Sequence, residues 1–131
     1  MQLSPLVFDS DGELIEPHLH DGLLTGIVVE SHDDVDTLVI HCTDGDRKRQ
    51  LVLRFANLSR LRVDNFREGN VIFDLQEIDG AAMPDGDLDD LVGREGKGKY
   101  TFLSMSTSYG CDLLASFETA RRLSTYETVG A

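Results

Sequence analysis

The chain has 131 residues, the size of one ordinary domain, and its 40% hydrophobic and 27% charged residues are globular averages that suggest neither disorder nor a membrane protein. Twenty-four acidic residues against twelve basic ones give a net charge of −12. Such a surface repels phosphate backbones and anionic lipid, so nucleic acid and membrane are not the expected partners. Residues 1–131 are expected to form a single domain around one core.

The first residues, MQLSPLVFDSDGELIEP, carry no basic start, no apolar run and no small-residue cleavage site, and no later stretch is apolar enough to span a bilayer. A cytoplasmic location is the expectation. Cys42 and Cys111 lie in separate strand-like segments and are expected as free thiols rather than a disulfide.

The charge is unevenly distributed. Residues 1–46 contain no Lys or Arg, whereas seven of the twelve fall between Arg47 and Arg67, a window whose one acid is Asp64. Neighbouring strands would let these segments partly neutralise each other. Held apart, they would form a dipole able to steer a charged partner.

In chain order, LLTGIVVES from Leu23 is rich in β-branched residues and reads as a well-buried strand ending at His32, Asp33 and Asp34. TLVIHC (37–42) and RQLVLRF (49–55) flank Asp44-Gly45, a strong hairpin signal. In the second arm Leu51, Leu53 and Phe55 point one way and Gln50 and Arg54 the other, the period-two pattern of a half-exposed strand, so the former mark the core face. Leu61 and Val63 alternate with Arg60 and Arg62, and Val71, Phe73 and Leu75 alternate with Ile72, Asp74 and Gln76, which gives two more strands around a polar loop.

The Gly- and Asp-rich segment after Asp79 predicts one short helix near 86–93, capped by Asp85 or Asp87 and stopped at Gly93. YTFLSMSTS and CDLLASFE predict a hairpin around Tyr109-Gly110, and residues 120–129 a final strand or short helix. The fold class is therefore mainly β, an antiparallel curved sheet or a small sandwich or open barrel with one short helix.

Two histidines two apart on an extended segment project to one side, so His18 and His20 with Asp21 form a candidate metal or small-molecule site, with His41 as a further ligand. The structural reading is a histidine hydrogen-bonded in a turn where Asp21-Gly22 starts the strand. The run from Asp85 to Asp90 lacks the sixth-position Gly and twelfth-position Glu of a calcium loop and reads as solvated acid. There is no Gly-x-Ser-x-Gly elbow and no cysteine in a familiar catalytic setting. No catalytic residue and no cofactor are expected. Between Val63 and Ile72, Asn65, Arg67 and Asn70 either close turns or face a partner, and turn chemistry leaves Arg67 unexplained.

HDGLLTGI, a DG hairpin, LVLRFANLSRLRVDNFREGNVIFDL and STSYGCDLLASF follow one another in a layout that resembles the immunity-protein-50 family of small bacterial β proteins in polymorphic toxin systems. His20-Asp21, Phe66 with Asn70-Val71-Ile72, and Gly110-Cys111-Asp112 carry the resemblance, which spans about residues 18–118. It implies a non-enzymatic protein that neutralises a cognate toxin, and the acidity suits a basic one. The expected function is thus a non-catalytic protein-interaction module in which His20, Asp21, Asn65, Arg67 and Asn70 contact the partner. Apolar sheet edges make a homodimer a further expectation.

Overall fold

The computed structural model describes residues 3–66, 70–80, 99–108, 112–118 and 123–129. The strands are β1 (Ser4–Pro5), β2 (Val7–Phe8), β3 (Leu14–Glu16), β4 (Leu23–His32), β5 (Val35–Thr43), β6 (Gln50–Ala56), β7 (Leu58–Asp64), β8 (Asn70–Asp79), β9 (Tyr100–Thr107), β10 (Asp112–Glu118) and β11 (Leu123–Val129). Among the described residues there is no α-helix, and none is long and apolar enough to cross a membrane. The helix expected near 86–93 and the turn at Tyr109-Gly110 lie outside the described residues. The last segment, open between strand and helix from sequence, is the strand β11.

Nine strands form one antiparallel sheet in the order β1-β11-β6-β5-β4-β8-β9-β10-β7, not closed into a barrel, and β2 with β3 makes a separate ribbon. The sheet has two arms. One runs from β1 to β4, the other from β8 to β7, and their joint is short: only Leu23 with Val71 and Leu24 with Asn70 are paired. By contrast β4 and β5 are paired from Leu24 with Cys42 to His32 with Val35.

Folding at this joint lets the arms share one core. Leu38, Ile40, Leu53 and Phe55 of the first arm lie in one buried cluster with Ile72, Leu103, Met105 and Phe117 of the second. The Phe55 and Phe117 rings meet at 5.8 Å between centroids and a 40° tilt, a geometry that adds about 1 kcal/mol to the area buried. The chain passes between arms at Asn57, which stands alone between β6 and β7 with φ 63°, a left-handed conformation that Asn tolerates better than most residues.

In β6 Leu51, Leu53 and Phe55 are buried as expected, and Val52 on the other face is buried too, so the strand is covered on both faces at that point. Alternation fails in β8. Ile72 and Leu75 are buried and Phe73 is 49% exposed, because the register against β9 slips between Ile72 and Asp74 and the extra residue turns Phe73 outward.

β4 also departs from expectation. Leu24 is fully buried, but Val28 and Val29, on opposite faces of the strand, are each 44% exposed. Past Leu24 the strand has β5 on one side and no ladder partner on the other among the described residues.

Cys42 is a free thiol with no exposed surface, and burial, with Asp44 nearby, pushes its pKa up to about 12. Thiolate is the reactive form, so Cys42 should resist iodoacetamide at pH 8 in the folded protein and react once urea unfolds it. Peptide mass mapping of the two samples checks this; native labelling of Cys42 at the rate of a free thiol would contradict the packing.

Candidate interaction surface

Residues 17–22 form an irregular segment that caps the joint between the arms. Asp21 N–H donates to the Ile72 carbonyl at 2.9 Å, Ile72 N–H to the Gly22 carbonyl at 2.8 Å, and Gly45 N–H to the His18 carbonyl at 2.9 Å. The segment therefore extends the β8 ladder on one side and docks on the β5–β6 turn on the other.

That turn is built around Asp44. Its carbonyl accepts from Arg47 N–H at 2.9 Å, and its carboxylate accepts from Lys48 N–H at 3.0 Å and from Arg49 Nε at 2.9 Å. Arg47, with φ 60°, is the left-handed residue of the turn, and its Nε donates to the Asp21 carbonyl at 2.9 Å. Gly45 serves another purpose than a tight two-residue turn. A Cβ there would collide with the His18 ring and come within 2.5 Å of the His20 carbonyl. The Asp-Gly pair thus marks a hairpin, but its glycine is required by the docked histidine segment.

The histidines take the turn role. His20 Nδ1 lies 2.7 Å from the Phe73 carbonyl, whose residue the β8 bulge has turned outward. His18, His20, Phe73, Glu13 and Asp74 line an open groove of about 240 Å³. Burial, followed by the charges of Asp74, Asp9 and Asp11, raises the pKa of Glu13. Among the described residues no three His, Cys, Asp or Glu side chains converge to hold a metal. His41 is on β5, paired with Gly26 and Val52 in the neighbouring strands, apart from that groove.

Of the remaining expected contacts, Asn65 is exposed with φ 56°, as a turn residue would be. Arg67 lies outside the described residues. Asn70 is 0% exposed at the joint, so it does not offer its side chain to a partner at the surface. Neither of its amide atoms has a hydrogen-bond partner among the described residues.

A further group of carboxylates without cations among the described residues lies where the β4–β5 turn meets the end of β10. Asp34, Asp36 and Glu118, with Asn57, Ser59 and Tyr100, line a concavity of about 220 Å³. Ser31 donates its hydroxyl to Asp36 at 2.6 Å. Among the described residues none of these three carboxylates has a cationic partner. The exposed Val28, Val29 and Glu30 lie on the adjoining strand. The only sequence signal for this surface was the missing Lys and Arg in residues 1–46, since Glu118 joins it through tertiary folding alone.

Compared with protein-family models, with curated proteins and with solved structures, the chain gives no match.

The Arg49 guanidinium bonded to it, with two backbone N–H donors, holds the Asp44 carboxyl below its usual pKa despite burial. A lowered native pKa contributes stability that is present above the unfolded pKa of about 3.9 and is lost as pH falls through the native value. Asp44→Asn should lower the melting temperature by roughly 5 °C at pH 7, and the difference from the parent should shrink below pH 4. A pH-independent difference in calorimetry would show that the ion pair is not its source.

Proposed function

We propose that the chain is a non-catalytic protein-interaction module that binds a basic protein partner, in the manner of a toxin-neutralising immunity protein acting in the cytoplasm. One observation carries this reading: Asp34, Asp36 and Glu118 converge on an open concavity without cations among the described residues to balance them. Carboxylates left unpaired and exposed cost little in water and gain most when a basic surface arrives, chiefly through a faster association rate. The net charge of −12 supports it further. A metal or small-molecule site at His18, His20 and Asp21 has less support, because His20 Nδ1 is engaged by the Phe73 carbonyl and no third ligand converges among the described residues.

Affinity capture from the native host, with the parent and with an Asp34→Lys, Asp36→Lys, Glu118→Lys variant of unchanged melting temperature, tests the reading. The parent should retain a basic protein that the variant loses by about tenfold or more at physiological salt. Equal retention by both, or enrichment of no basic protein, would overturn it.

A further inference from the structure

We propose that β4 is the docking edge for this partner, which adds an extended basic segment to the sheet as a further strand beside residues 25–32. The proposal rests on the protein-interaction reading and goes beyond it by naming the chemistry of recognition: main-chain hydrogen bonding to a sheet edge, with charge choosing the occupant.

The edges of this fold are not equivalent. β1 is two residues long and includes Pro5, which has no N–H to offer an incoming strand. β7 carries Arg60, Arg62 and Asp64 on the opposite edge. The outer side of β8 is covered by the chain itself, through Ile72 with residues 21 and 22, through Glu77 N–H donating to the Gly12 carbonyl at 2.7 Å, and through a Glu13–Gln76 bridge.

β4 has none of these devices past Leu24. Its residues 25–32 contain no Pro and no Lys, and no ladder bond crosses their outer side among the described residues. At 3.4 Å per residue this edge is about 27 Å long, enough for a full added strand. Alternate residues present their N–H and C=O groups along it.

The side chains define the occupant. Val28 and Val29, each 44% exposed, offer an apolar contact on each face of the edge. Glu30 and the turn acids Asp33 and Asp34 follow, with Asp36 opposite Ser31. An added strand with alternating apolar and basic residues satisfies the backbone groups, covers the valines and neutralises the acids together. A second copy of the chain would satisfy the backbone groups too, but it brings a further net charge of −12.

The test uses the full chain and a short synthetic peptide of alternating valine and lysine, with amide hydrogen exchange read residue by residue. Saturating peptide should slow exchange of the outward-facing amides in residues 25–32 by about tenfold or more. The same peptide N-methylated at alternate amides keeps its charge but should give no such protection. Val29→Lys, at an already exposed position, should weaken peptide binding by roughly tenfold without lowering the melting temperature.

Equal binding of the N-methylated peptide, or protection confined to residues outside 25–32, would overturn strand addition and leave the acidic-surface reading standing. Failure of the parent to capture any basic protein, with the edge protected by the peptide as expected, would instead remove the functional reading. Concentration-dependent protection of residues 25–32 without peptide, with a dimer by light scattering, would overturn the proposal in favour of a second copy.

Discussion

Two residue pairs, Leu23 with Val71 and Leu24 with Asn70, join the halves of a nine-stranded sheet. A ladder this short cannot hold the strands coplanar over their length, so the arms turn toward each other and enclose the core between them. The joint needs reinforcement, which comes from residues 17–22: hydrogen bonds continue the β8 ladder through Asp21 and Gly22 and reach the β5–β6 turn through His18. The His-Leu-His-Asp-Gly segment is therefore part of the hinge of the fold. Asn70, buried there with an amide that has no partner among the described residues, adds a polar cost at the point where the ladder is thinnest.

Strand order also determines where charge collects. Because β4, β5 and β6 are antiparallel, the β4–β5 turn with Asp33 and Asp34 and the β5–β6 turn with Arg47, Lys48 and Arg49 stand at opposite ends of β5, a strand of nine residues, about 30 Å long. Part of the expected neutralisation occurs at the second turn, where Arg49 meets Asp44. Among the described residues the acids of the first turn meet no Lys or Arg, and at physiological ionic strength charges separated by the length of β5 are screened from each other.

The sequence pattern was legible in the β5–β6 hairpin and in β7, where Leu61 and Val63 are more covered than Arg60 and Arg62. Alternation located Leu51, Leu53 and Phe55, and the Asp-Gly pair located the β5–β6 hairpin. Three features escaped it for physical reasons. The β8 bulge inserts a residue, and a period-two reading then assigns Phe73 to the wrong face. The burial of β4 was overread because β-branched composition does not distinguish a central strand from one whose second neighbour leaves after two pairs. The acidic concavity draws Asp34 and Asp36 from one hairpin and Glu118 from β10, and no spacing along the chain encodes that meeting.

A long edge without proline, lysine or a covering segment among the described residues is a hazard, because it can pair with any exposed strand, including its own copy. β1 and β8 avoid the hazard by proline, short length and covering chain, and β7 carries arginines. On β4 the protection is electrostatic: acids at its end and a strongly negative whole molecule oppose edge-to-edge approach of like copies. This protection is selective by sign. Charge that discourages self-pairing leaves the edge open to a basic strand, so under the proposed function one feature would both oppose pairing with a copy and select the partner.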